Sequence, residues 1–211
     1  MNIKKNYREP LSWRTTRINK KAEKLILGSF TSSGGMDNYY YCSDSNDFYY
    51  CLDYALFLNE DDVDLSQEAN IIKEQILTNT KTIFVKLRNE LCKSNQKNAL
   101  RESVHDKLLN RGIDICDLFE SVYMKDPNKS DDSNIALSSP YTKYAEDCLL
   151  SINDSNVNTV YCTSKYVMTK FIQFKKKHQI KDVKIVPLAS PSRNARIKLS
   201  NKIKIWSDCL K

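Results

Sequence analysis

The sequence predicts an α/β protein built on a largely parallel sheet with helices covering both of its faces. Three observations lead there. Four short apolar runs, at 24–29, 113–122, 158–163 and 183–188, have the length and composition of buried strands. Between them, apolar residues recur at spacings of three and four, as on one face of a helix. Strands alternating with helices in this way give parallel sheets covered on both sides. The 211 residues, 41% hydrophobic and 28% charged, are also enough for a sizeable core and wrong for a disordered chain.

The elements follow in order. Residues 1–23 form a basic arm with Trp13 as its one anchor candidate. The run from Lys24 to Ser29 is a strand that opens into a loop containing Gly34 and Gly35. Phe48 to Leu58 reads as helical. From Ser66 to Leu91 a long helix is expected, with Ile72, Ile76, Ile83, Leu87 and Leu91 on one face. Leu100 to Leu109 is a further helix, with Gly112 as its C-terminal stop. Ile113 to Val122 is β-like, and Pro127 to Pro140 is a polar loop. Tyr141, Tyr144, Ala145, Cys148 and Leu149 make a helical stripe. Asn158 to Thr163 is a strand, and Lys165 to Lys177 a helix with Val167, Phe171 and Phe174 aligned. Val183 to Leu188 is the last strand, followed by the loop Ala189 to Asn194 and a closing helix from Leu199 to Leu210.

In parallel sheets, ligands bind outside the carboxyl ends of the strands. That puts two loops on the functional rim, Ser29 to Asn46 and Ala189 to Asn194.

Composition excludes several classes. Four glycines and five prolines rule out collagen-like and Gly/Pro-rich chains, and no apolar run approaches the ~20 residues of a membrane span. The charged N-terminus has no apolar signal core, so a soluble cytoplasmic protein is expected. The seven cysteines are odd in number, scattered and free of any C-x-x-C, which suits small buried hydrophobes in a reducing compartment. With only two histidines, His105 and His178, a metal site is not expected.

Charge is unevenly spread. Of the net +7, residues 1–24 carry +6 and residues 165–211 carry +11, leaving an acidic middle. Basic ends of this kind suit a polyanionic partner. The triplet Lys175-Lys176-Lys177 by itself fits a helix C-terminus, where the dipole favours cations.

Two stretches could carry chemistry. Gly28-Ser29-Phe30-Thr31-Ser32-Ser33-Gly34-Gly35 is rich in small residues after a strand, and is either a tight turn or a backbone concavity for an anion. It matches neither G-x-x-x-x-G-K-[ST] nor G-x-G-x-x-G. From Tyr39 to Tyr50, six aromatics enclose polar side chains. They form either the edge of a Tyr-rich core or a pocket that stacks a base and bonds its edge.

On these residues, Lys24 to Tyr49 resembles the opening of the uracil-DNA glycosylase superfamily, in particular its hypoxanthine and mismatch-specific (G:T/U) branches. Gly28-Ser29-Phe30 fits the family's Gly-Ser-Met/Phe-Pro strand end, Tyr40-Tyr41 its Tyr-Tyr, and Asn46 with Phe48-Tyr49 its His-Pro-Arg-Asn and aromatic pair. Further along, Leu108 to Asp117 resembles the helix end, Gly-Ile and strand with a terminal Asp. Ser130 to Ile135 resembles the Ser-x-Asp-Ser-x-Ile loop, and Tyr161 to Lys165 the third strand and its turn. Pro187 to Ala195 resembles the second signature, Pro-Ser-Thr-Ser-Pro-x-Asn. The pieces run in order over about 24–207, and the closing Lys202 to Trp206 fits as well. The departures are Thr31 for proline, Ser43-Asp44-Ser45 for His-Pro-Arg, Tyr49 for Trp, and an apparent helical insertion at about 60–100.

The resemblance implies a three-layer αβα sandwich around a four-stranded, mainly parallel sheet, with 24–211 as a single domain behind the arm. It implies a DNA glycosylase that flips a damaged, deaminated or modified base and hydrolyses its N-glycosidic bond, leaving an abasic site. Asn46 would bind the base edge or hold the attacking water, and Ser29 with Phe30 would offer backbone N–H groups to the leaving base. Gly28, Phe30, Tyr41, Phe48, Tyr49 and Thr163 would line the base pocket, with Phe48 or Tyr41 stacking. Ser190, Pro191, Ser192, Arg193, Asn194 and Arg196 would grip DNA, with Arg193 as wedge or phosphate clamp. Asp117 and Asp132 would order loops. The partner would be single- or double-stranded DNA, bound by a monomer that needs no cofactor, metal or iron–sulfur cluster. The alternatives are a binding or sensing protein on the same scaffold without catalysis, and a hydrolase-like enzyme acting on a small nucleoside.

Overall fold

The structure, a computed structural model, describes residues 7–8, 15–30, 46–93, 97–126, 132–192 and 195–211. Trp13, Tyr41, Arg193 and Asn194 lie outside these, as do Thr31 and Ser43-Asp44-Ser45. In chain order the elements are β1 (Tyr7–Arg8), β2 (Lys24–Gly28), α1 (Phe48–Phe57), α2 (Ala69–Thr78), α3 (Phe84–Lys93), α4 (Lys97–Leu109), β3 (Ile113–Asp117) and β4 (Phe119–Tyr123). They continue with β5 (Lys143–Tyr144), α5 (Glu146–Leu150), β6 (Thr159–Cys162), α6 (Lys165–His178), β7 (Lys184–Pro187) and α7 (Leu199–Leu210). None of these helices is long and apolar enough to cross a membrane.

The chain divides into two compact units. One comprises Met1–Tyr40 and His105–Pro187, the other Tyr41–Val104 and Leu188–Lys211.

The first unit holds the four-stranded sheet, in the order β3-β2-β6-β7. All three pairings are parallel, so the α/β class with a four-stranded parallel sheet is as the sequence predicts. Register sets Leu25 and Leu27 on one face with Cys116, Val160 and Cys162. These five join a core that includes Val167, Phe171 and Phe174 of α6. Ile26 and Ile115, on the opposite face, are fully buried too. Burial on both faces is why these strands read as continuous apolar runs rather than as alternating ones.

α4 stops as expected. Gly112 has φ +67°, the left-handed conformation glycine adopts without strain, and its N–H donates to the Leu109 carbonyl at 2.9 Å. The Gly112 carbonyl accepts from the N–H groups of both Glu23 and Lys24 and so fixes the start of β2.

Three expectations change. The run 113–122 is two strands, because β4 leaves the parallel sheet at Leu118 to pair antiparallel with β1 and β5. The stripe at 141–149 yields only the five-residue α5. Its first half is drawn into that small sheet, where the Ser121 hydroxyl donates to the Tyr141 carbonyl and the Tyr123 N–H to Thr142 Oγ1.

The third change is in the second unit. The helix expected from Ser66 to Leu91 is two, α2 and α3. The break comes from Asp53 of α1, which is fully buried. Its Oδ1 accepts from the N–H groups of Ile83 and Phe84 at 2.9 Å each, and its Oδ2 from Val85 at 2.6 Å. A carboxylate arriving from another helix thus satisfies the first N–H groups of α3 and starts a new helix there.

Candidate functional site

In the sheet unit, the candidate residues cluster at the carboxyl ends of the strands. Register places Gly28 directly beside Asp117. The carbonyls of Gly28 and Ser29 accept from the N–H groups of Leu118 and Phe119 at 2.8 and 3.0 Å. Those bonds hold the β2 exit in a fixed course. Thr163 is buried, and both its N–H and its hydroxyl donate to the Leu27 carbonyl, at 3.0 and 3.2 Å. Gly28, Ser29 and Thr163 therefore lie together at one rim, while the Phe30 ring packs against the core. Ser164 caps α6, accepting from the Val167 N–H, and donates its hydroxyl to Asp132 at 3.2 Å. Asp132 thus ties its loop to the turn after β6.

In the helical unit, Asn46 and the 190–192 segment meet. Asn46 forms an antiparallel bridge with Ser192, and the Asp47 N–H donates to the Pro191 carbonyl at 2.8 Å. The segment is held from its other side as well. Trp206, fully buried on α7, donates its indole N–H to the Ala189 carbonyl at 2.9 Å. Ser190 Oγ accepts from the Ser192 N–H at 3.4 Å, closing a small hydroxyl turn.

The Asn46 carboxamide is oriented. Its Oδ1 accepts from the Phe48 N–H at 2.8 Å, satisfying one of the open donors at the start of α1. The amide NH2, at the other end of the group, can only donate.

Behind this turn lies a buried charge cluster. Asp47 Oδ1 pairs with Lys73 Nζ of α2 at 2.7 Å, and Oδ2 with Lys202 Nζ of α7 at 2.9 Å. Lys202, only 1% exposed, also donates to the Ser192 carbonyl at 2.7 Å. Burial by itself would push the Asp47 carboxyl up, but the hydrogen bonds from the two lysines outweigh it and hold the group below the ordinary carboxylate range.

Other expected site residues are placed differently. Phe48 is fully buried, edge-on to Trp206 at 5.3 Å and to Tyr49 at 5.2 Å, and Tyr49 is buried with it. Phe48 is a core residue and presents no surface on which a base could stack. Arg196 is exposed. Of the basic C-terminal third, Lys202 is enclosed, so it adds nothing to a surface for a polyanion. Among the described residues no group of three or more His, Cys, Asp or Glu side chains could hold a metal.

The sequence reading missed Asp47, Asp53, Lys73 and the role of Lys202. For Lys202 a signal existed. Leu199, Lys202, Ile203, Trp206 and Leu210 fall on one helical stripe, so a lysine stands where the pattern calls for an apolar residue.

No protein-family model matches the chain, and no curated protein matches it. Among solved structures, the solution NMR structure described as a "putative Uracil DNA glycosylase from Methanosarcina acetivorans" has a similar fold. The TM-score is 0.51 at 16% identity, over 92% of this chain and 91% of that one. At that identity the likeness speaks to the fold alone, which is α/β and like that of this neighbour.

Proposed function

We propose that the protein is a monofunctional DNA glycosylase. The observation that carries this reading is the bridge between Asn46 and Ser192: the two segments that resemble the superfamily's separate signatures come together in the folded chain. The fold of the neighbour supports it, and the basic ends suit a DNA partner.

In the proposed reaction the C1′–N bond of an extruded nucleotide breaks. Water adds its oxygen to C1′, and its proton ends on the departing base. The protein must stabilise charge as it develops on that base. Asn46, with its oxygen committed to Phe48, offers N–H donors, so it binds an exocyclic oxygen of the base as negative charge gathers there. An amide is no general base, so the rate comes from positioning and electrostatics. Ser29, with Gly28, Phe30 and Thr163, forms the pocket rim. Ser190, Pro191 and Ser192, with Arg193, Asn194 and Arg196 beyond them, contact the DNA backbone. Tyr41 is the stacking candidate left once Phe48 is assigned to the core. A hypoxanthine- or mismatch-type base is the proposed target.

The test is strand cleavage by alkali after incubation with labelled single- and double-stranded oligonucleotides carrying uracil, hypoxanthine, a G·T mismatch or a modified cytosine. Cleavage should appear with one base and fall by about 100-fold or more in Asn46→Asp, which keeps the acceptor for Phe48 and loses the donors. Binding without cleavage in any lane would instead favour a sensing protein, a reading to which the burial of Phe48 lends some weight. Neither binding nor cleavage would overturn both.

A further inference from the structure

We propose that Asp47, gripped by Lys202 and Lys73, is the positioning residue that sets the Asn46 carboxamide against the Ser192 segment. The inference rests on the glycosylase reading for its kinetic consequence, but its structural claim stands apart from that reading.

Lys202 sits at 1% exposure on the same helical stripe as Leu199, Ile203 and Trp206. Enclosing an ammonium costs several kcal/mol before its partners are counted, and a buried ion pair replaced as a whole by well-packed apolar side chains is often as stable or more so. Stability is therefore a poor reason for a lysine here. Geometry is a better one. Lys202 Nζ bonds both Asp47, the residue next to Asn46, and the carbonyl of Ser192, the residue bridged to Asn46. One ammonium thus fixes the spacing of the two segments. Lys73 takes the second carboxylate oxygen and removes the remaining freedom of Asp47. It comes from α2, so the helices of the 60–100 region reach the site through this contact. The Asp47 N–H to the Pro191 carbonyl completes the set.

The experiment compares Lys202→Met and Lys202→Arg with the parent in two ways. Backbone amide exchange at Asp47 is read without substrate. Single-turnover cleavage and oligonucleotide Kd are read on whichever base the parent excises. Lys202→Met should speed exchange at Asp47 and slow cleavage by about 10- to 100-fold with Kd unchanged. Lys202→Arg should recover part of the rate. Lys202→Met should also acquire an acid limb in its pH–rate profile, since Asp47 is then buried with one partner fewer. A merely structural loss would not move that profile.

Unchanged exchange at Asp47, or an unchanged cleavage rate, overturns the proposal. Should Lys202→Met not fold, Lys73→Met, at a less buried position, is measured in the same way, and a normal rate there overturns it equally. If the parent cleaves no base, the glycosylase reading fails by itself, and amide exchange still decides whether the clamp exists.

Discussion

Asn46 and Ser192, which lie in segments far apart in the chain, face each other across an antiparallel bridge whose neighbouring bond runs from the Asp47 N–H to the Pro191 carbonyl. The bridge makes the two candidate loops one structural object. A change at either end should be felt at the other, and the stability of the pair depends on groups that lie behind it.

Asp47 gives that dependence a pH signature. Its folded pKa lies below the ordinary value of 3.8, so the carboxylate stabilises the native state above that value. The contribution is lost as pH falls through the lowered folded pKa. Urea unfolding of the parent and of Asp47→Asn should show a constant gap from pH 7 to about pH 5, narrowing below about pH 4. A gap that widens towards acid would contradict the sign.

Asp53 should be a costly truncation in the helical unit. Asp53→Ala removes an acceptor shared by three N–H groups at the start of α3, of which those of Phe84 and Val85 are buried. A loss of about 3 kcal/mol is expected, in the range of a lost cap plus an unsatisfied buried donor. Urea midpoints measure it, and a change below about 0.5 kcal/mol would show that water replaces the carboxylate.

Gln179 offers the opposite case. It ends α6 with φ +53°, a left-handed conformation, on an exposed site. Gln179→Gly removes the Cβ strain at some cost in chain entropy, for a net gain of about 0.5–1 kcal/mol, or about 2–3 °C in Tm. An unchanged or lowered Tm would count against that balance.

How much of this was legible in the sequence depends on whether local pattern or distant partners decided the outcome. Helix α7 runs from Leu199 to Leu210 as its periodicity predicts, and Gly112 closes α4 where a left-handed residue was expected. The four parallel strands are legible for a similar reason, since burial on both faces leaves a continuous apolar run. Where tertiary partners intervene, pattern fails. The apolar face from Ile72 to Leu91 is unbroken in sequence, and only the arrival of Asp53 divides it. The stripe at Tyr141 is a good helix by spacing, yet β4 claims its backbone. At the candidate site, Asn46 and the Ser190–Ser192 loop could be picked out by their chemistry. That Phe48 belongs to the core and Lys202 to a buried ion cluster follows from packing against Trp206 and from Asp47, neither of which is near in sequence.

The enclosure of Lys202 also bears on how this chain can change by descent. Replacing Asp47 alone leaves Lys202 in the interior without a counter-charge, a loss of about 3–5 kcal/mol that selection would remove, whereas losing Lys202 alone leaves Asp47 paired with Lys73. Replacing both takes out the cation and its principal counter-charge together. The dependence should therefore run one way: relatives with an uncharged residue at the position of Asp47 should carry Met or Leu at that of Lys202, and chains with the enclosed lysine alone should be scarce.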